Sequence, residues 1–276
     1  MTLMNFKQTL IAATMLLGVN SIAQEEQDSL GVIGDNLDLY AVLDLFKNSN
    51  SLEEFERSLN DPASKLNNLD LNEDGEVDYI QVYDEDDNDA HAFILRVDLN
   101  ENESQDIAAI ELEKTGTDEA AIQIVGDEDI YGKDYFVEPK GDEGITERLV
   151  MTDLIIINVW GWPIVRFIYG PTYVRWRSPY RWGAYPVWWK PWRPLTWRAY
   201  HNLHKHHHPY YHVVHVRRCN RAHVVYVKRR RTTVLIKTHP HHPSHHPHKN
   251  PTTKRPGNSG VGPGGTKKPG GGNRRR

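Results

Sequence analysis

The chain has 276 residues, 38% of them hydrophobic, a formal net charge of −4 and a single cysteine. One thiol excludes an internal disulfide, so packing or bound ions must hold the fold, and the length allows one or two domains of ordinary size. The small net charge conceals a bipolar chain: all 37 acidic residues lie at or before Asp153, where 9 Lys/Arg leave a balance of −28, and the 24 Lys/Arg beyond it accompany no carboxylate.

The opening MTLMNFKQTLIAATMLLGVNSIAQEE places Lys7 ahead of an apolar run and closes on Ser-Ile-Ala at 21–23. This predicts a signal peptide over 1–23 and an exported protein, periplasmic or at the cell surface or secreted, with no transmembrane helix in the mature chain. The acidic α+β domain is expected over 24–145, a basic Trp/His-rich region over 154–237, and a disordered His/Gly/Pro/Lys/Arg tail over 238–276. Between the first two, PKGDEG supplies the turn residues of a linker near 140–155.

In the acidic part, Leu39, Val42, Leu43 and Phe46 follow the spacing of an amphipathic helix, with Asp35 or Asn36 as its cap. Ser51 and Glu54 form a capping box for a second helix carrying Leu52, Phe55 and Leu59 on one face, ended by Asn60-Asp61-Pro62. From Val77 the period changes to two. Ile80/Val82, Phe93/Leu95/Val97, Ala108/Ile110/Leu112 and Ile122/Ile124 predict four strands in an antiparallel meander, one face covered by the two helices. His91 shares a face with Phe93 and reads as a strand-end residue.

The stretch DLNEDGEVD ahead of the first strand has the chemistry of a calcium loop. Calcium takes six to eight oxygens, and Asp70, Asn72 and Asp74 at alternate positions, the Glu76 carbonyl and Asp78 at the ninth position would provide them, with Gly75 for the turn. The twelfth position is Gln81 instead of the bidentate Glu of an EF-hand, which places affinity on the order of 10⁻⁴ M. The loop resembles those of dockerins and of integrin-type propeller repeats, a likeness of about nine residues that implies an ion site and no fold. A degenerate copy puts Asp98, Asn100, Asn102 and Asp106 at equivalent places, with Glu103 replacing the glycine, so it reads as a weaker site or a relic. The stretch from Leu69 to Pro139, including ENESQDIAAIELEK and GDEDIYGKDYFVEP, resembles an uncharacterised family of exported bacterial proteins. The resemblance implies export and the ion loop, and no catalytic residue.

In the basic part, LIIINVWGWPIVRFIYG either packs against the sheet or lies in a lipid interface. The Trp, Tyr, Arg and Pro of YVRWRSPYRWGAYPVWWKPWRPLTW show no helical or strand period; the rings form a small irregular core or face anionic surfaces by cation–π contacts. YYHVVHVRRCNRAHVVYVKRRRTTVLI predicts a hairpin turning near Cys219-Asn220, with Cys219 buried and inert. HKHHH and HPHHPSHHPH have the composition of zinc, copper or nickel ligands without fixed spacing.

There is no G-x-S-x-G, H-E-x-x-H or Walker loop, and the basic part holds no carboxylate to orient a catalytic histidine. The expectation is a non-enzymatic exported protein with a weak calcium-binding domain and a cationic aromatic arm that binds an anionic envelope surface or polyanion. The alternative is transition-metal capture by the histidine-rich region. The opposite charges of the two halves also predict contact between them, while export makes nucleic acid the less accessible polyanion.

Overall fold

Asp38, two residues beyond the expected caps, starts the first helix. In the computed structural model its Oδ1 accepts from the amides of Tyr40 at 2.9 Å and Ala41 at 3.4 Å, and α1 runs Leu39–Asn48. The second helix, α2 (Leu52–Leu59), is capped as its sequence requires, with the Glu54 amide on Ser51 Oγ at 3.1 Å. The Glu54 carboxylate reaches back one residue further than in a standard capping box, to the amide of Asn50 at 2.9 Å. The structure describes residues 33–141 and 157–233, all within the unit Met1–His245. The signal peptide, most of the linker and the tail lie outside the described residues.

The fold is α+β, with N-terminal helices on an open antiparallel sheet of six strands in the order β1-β2-β3-β4-β5-β6. The four expected strands are present as β1 (Ile80–Asp87), β2 (Ala90–Asp98), β3 (Ser104–Gly116) and β4 (Glu119–Gly126). A short helix α3 (Glu128–Tyr131) then leads to β5 (Phe136–Pro139). The sixth strand, β6 (Tyr211–Val214), comes from the basic half and pairs with β5 from Phe136↔Val214 to Pro139↔Tyr211. Between them lie α4 (Pro163–Ile168) and α5 (Trp197–His204).

The expected hairpin around Cys219-Asn220 is replaced by strand and helix. The YHVV stretch does form β6, but Asn220–Arg229 folds as helix α6. Its Ala222, Val225 and Tyr226 are spaced three and four apart, and only a helix brings all three onto the small side chains of the sheet. Val225 and Tyr226 meet Ala92, Ile94 and Ala109, and Ala222 with Cys219 meets Ala90 and Ala121.

Both faces of the sheet are therefore covered, where one was expected. On the first face Phe93, Leu95, Ile110, Leu112, Ile122 and Ile124 pack with Phe46, Phe55 and Leu43 of the two N-terminal helices. The rings of Phe46 and Phe55, and of Phe46 and Phe93, stand 5.3 Å apart. Ile164, Val165 and Ile168 of α4 join the same cluster, which assigns the described part of this apolar run to the core. Among the described residues no helix is long and apolar enough to cross a membrane.

The second face carries a row of carboxylates, Glu85, Asp106, Glu111, Glu113 and Glu138, all buried. Basic groups from the later part of the chain meet them. Arg177 reaches Glu85 at 2.6 Å, His223 reaches Glu111 at 2.7 Å and Arg218 reaches Glu138 at 3.1 Å. Arg221 lies 3.4 Å from Glu113, and the Arg231 amide donates to Asp106 at 2.8 Å. Next to the row, Arg230 grips Asp127 through Nε at 2.6 Å and Nη2 at 2.9 Å.

The stretch 171–195 runs without regular structure along the outer edge of β1. The Asp84 amide donates to the Trp176 carbonyl at 2.9 Å, and the Ser178 amide to the Val82 carbonyl at 3.0 Å. Beside it Tyr79 is ringed by Tyr180, Tyr185, Trp188 and Trp189, with centroids 5.3 to 6.4 Å away. Part of the Trp/Tyr-rich sequence is thus an irregular aromatic core.

Candidate functional site

Loop 70–78 is built by side chains folding back on their own backbone. Asp70 accepts from the amides of Asp74 at 3.1 Å and Gly75 at 3.0 Å, Asn72 Oδ1 from Asp74 at 2.9 Å, and Asp74 Oδ1 from Glu76 at 2.9 Å. Three side chains therefore converge on the short stretch Asp74–Glu76. Gly75, at φ +85°, occupies the left-handed region that a tight turn of this kind demands. Asp78 ends the loop. Its carboxylate is buried and accepts the Leu71 amide at 2.5 Å, pinning the start of the loop to its end.

Burial and like charge act together on the carboxylates of this loop. Burial, with the negative charges of Asp70 and Asp74, pushes the Asp78 carboxyl up to about 7. Burial likewise raises Asp70, with the charge of Asp74 adding to it. All the donors are oxygens, which fits a hard cation in chemistry. Among the described residues, however, no three His, Cys, Asp or Glu side chains stand close enough together to hold a metal ion. An ion in this loop would depend on the Glu76 carbonyl, Asn72 and water for part of its shell.

The degenerate copy is committed elsewhere. Asp98 Oδ2 accepts from Gln81 Nε2 at 2.7 Å and the Trp182 amide at 3.0 Å, while Asp106 is held by Arg96 Nε at 2.5 Å. The two loops do lie at one end of the sheet, before β1 and between β2 and β3.

The folded histidines hydrogen-bond to separate partners, although the rings of His206 and His207 lie 3.9 Å apart and those of His201 and His208 5.5 Å apart. In the HKHHH run, His204 Nε2 meets the Lys65 carbonyl at 3.0 Å, His206 Nδ1 the Leu203 carbonyl at 2.8 Å, and His208 Nε2 Asp38 at 2.8 Å. His207 faces Asp44 at 3.5 Å. Burial lowers the pKa of His204, His207 and His212, which holds them neutral near pH 7. The second histidine run, 239–248, lies outside the described residues.

Two arrangements carry no motif in the sequence. Glu56, on the inner side of α2, is buried and accepts from Ser178 Oγ at 2.7 Å, Trp176 Nε1 at 2.9 Å, Tyr79 OH at 3.0 Å and the Val82 amide at 3.1 Å. Burial still outweighs those four bonds and raises its pKa. The only hint of it is an acidic residue one place after Phe55 on a face otherwise apolar. His91 is buried, its Nδ1 3.0 Å from Asp84 Oδ1, and Tyr173 OH donates to Asp84 Oδ2 at 2.5 Å. This Tyr–Asp–His chain draws on both halves, and its histidine stacks on Phe93 at 5.6 Å.

No family model, curated protein or solved structure matches the chain.

Proposed function

We propose that the protein is a non-enzymatic exported protein whose loop Asp70–Asp78 binds calcium weakly and whose cationic half meets an anionic envelope surface. The observation that carries the calcium reading is the buried Asp78 carboxyl, raised to about 7 by burial and by Asp70 and Asp74. A cation that neutralises this group removes a cost already present in the fold. Binding only to the folded chain then stabilises it by RT ln(1 + [L]/Kd).

For the surface, the support lies in the stretch 181–193, where Arg181, Lys190 and Arg193 are exposed and Val187 is 97% exposed. Cations flanking a protruding apolar side chain suit a polyanionic or lipid-headgroup surface. The arginines of 217–231 are largely engaged with the sheet, so the contact surface is a face of the folded unit instead of a free arm. Zinc, copper or nickel capture by the histidine-rich region, HKHHH together with the 239–248 run, is the alternative.

Calcium melts of the mature chain test the first reading. Millimolar calcium should raise Tm at pH 8 and raise it much less at pH 5.5, where protonated Asp78 competes. Asp74→Ala should abolish the gain. An equal response in wild type and variant removes calcium from the function.

A further inference from the structure

The second face of the sheet holds a cavity of about 170 Å³ lined by Tyr83, Glu85, Arg96, Arg177, Arg229 and Arg231. Four guanidiniums around one small space need anions to balance them. Arg96 is fixed: its Nε and Nη2 grip Asp106 at 2.5 and 3.1 Å, Nη2 also meets the Arg229 carbonyl at 3.2 Å, and the group lies over the Tyr83 ring at 5.1 Å. Arg177 Nη2 donates to Glu85 at 2.6 Å, and Arg229 Nε stands 3.6 Å from the other oxygen of the same carboxylate. Arg231 Nη1 meets the Ser104 hydroxyl at 3.4 Å.

Set against four guanidiniums, the two carboxylates reached by these contacts, Glu85 and Asp106, leave an excess of two positive charges. Each guanidinium offers five N–H donors in a rigid fork, and these contacts leave donors over on all four. The Tyr83 ring is the one aromatic wall, so the cavity does not suit a hydrocarbon ligand. It suits a compact, multiply charged oxyanion. A carboxylate would present two oxygens, as Glu85 already does. A phosphomonoester presents three terminal oxygens, matching guanidiniums that approach from β2, from residue 177 and from the 229–231 corner.

We infer that this cavity binds the phosphate group of a phosphomonoester, with Arg96 as the preset donor and Arg177, Arg229 and Arg231 closing on the remaining oxygens. The inference rests on the proposed function only in the sign of the ligand's charge. Glu85 holds Arg177 and Arg229 at the rim, as a counter-charge that the ligand joins without displacing.

The test is a set of thermal melts on the mature chain, without calcium and at fixed ionic strength. Replacing chloride by about 10 mM inorganic phosphate should raise Tm by ~3 °C, and glycerol phosphate should do the same. Arg231→Gln and Arg177→Gln should each weaken phosphate binding about tenfold or more by titration calorimetry. Arg166→Gln, an equal loss of charge at an exposed position outside the lining and outside the 181–193 surface, should leave it unchanged. Titration calorimetry is read independently of Tm, so a destabilised variant still gives an answer. No phosphate effect beyond chloride, or an equal loss in Arg166→Gln, overturns the inference.

Vesicles then identify the source of the phosphate. If phosphatidate vesicles bind wild type and not Arg231→Gln, the ligand is a lipid headgroup. If they bind both, it is a soluble phosphomonoester. Failure of wild type to bind any anionic vesicle, with the phosphate shift intact, sinks the envelope reading and leaves the cavity's ligand standing.

Discussion

The two faces of the sheet are held by different physics. The first is Phe, Leu, Ile and Val against helices α1, α2 and α4, removed from water and indifferent to salt. The second sets small side chains and five buried carboxylates against α6 and the arginines around it. Its ion pairs return little net stability for the desolvation they require, but removing one partner leaves a buried charge unbalanced. The apolar face thus makes the fold stable, whereas the charged face determines which segment may cover it. The segment that does so is rich in Arg, and no Asp or Glu occurs after Asp153 to oppose those carboxylates.

Breaking the apolar face should cost most. Phe93→Ala, at a fully buried ring 5.3 Å from Phe46, should lose about 3–5 kcal/mol in denaturant unfolding, equally at low and high salt. On the charged face, Arg230→Gln leaves Asp127 without its cation, although Tyr226 OH still donates to it at 2.9 Å. A loss of about 3 kcal/mol is expected, and adding Asp127→Asn should recover at least about half of it.

A buried carboxylate with no cation opposite among the described residues sharpens the contrast. Asp78→Asn should keep the acceptor for the Leu71 amide, remove the charge, and stabilise the calcium-free chain at pH 8 by on the order of 2 kcal/mol. The folded-state value lies above the ordinary carboxylate value. The group's contribution is therefore fully present below about pH 4 and lost as pH rises through about 7, so the gain should vanish at pH 4. The smallest effect is expected at Glu111, whose Oε1 lies 2.7 Å from His223 and 3.5 Å from Arg217 while Oε2 is buried without a partner. Burial raises its pKa above the ordinary carboxylate range, so Glu111→Gln should change stability at pH 7 by under about 1 kcal/mol and reduce the stability lost as pH rises above that range.

The first face was legible because its periodicities are clean. Leu39/Val42/Leu43/Phe46 and the alternation of β1 to β4 each name one side of an element. The second face was not, because its apolar side chains are Ala90, Ala92, Ala109 and Ala121, too small to register as a stripe, and its carboxylates look like solvated positions. Asn220–Arg229 reads as a strand from its sequence because Val and Tyr favour strands locally, and the Ala-lined floor that selects a helix is distant in sequence. The loop at 70–78 announced its turn through Asx and Gly residues. It did not announce that Asp78 would turn inward to Leu71, since burial at a loop's end depends on packing around it. Glu56 and the Asp84–His91–Tyr173 chain join partners about 90 to 120 residues apart, a distance at which residue type alone carries no pairing information.

The irregular stretch beside β1 bears on self-association. An eight-residue edge strand with free amides and carbonyls is a template on which a second copy could add a strand. Here the amide of Asp84 and the carbonyl of Val82 are already taken by Trp176 and Ser178. The stretch that takes them carries Pro179, Pro186, Pro191 and Pro194, which have no amide hydrogen to offer an incoming chain. At the opposite edge β6 is only four residues long. A sheet open in topology is thereby closed to growth at both ends, which keeps a chain of many β-forming residues from polymerising through its own backbone.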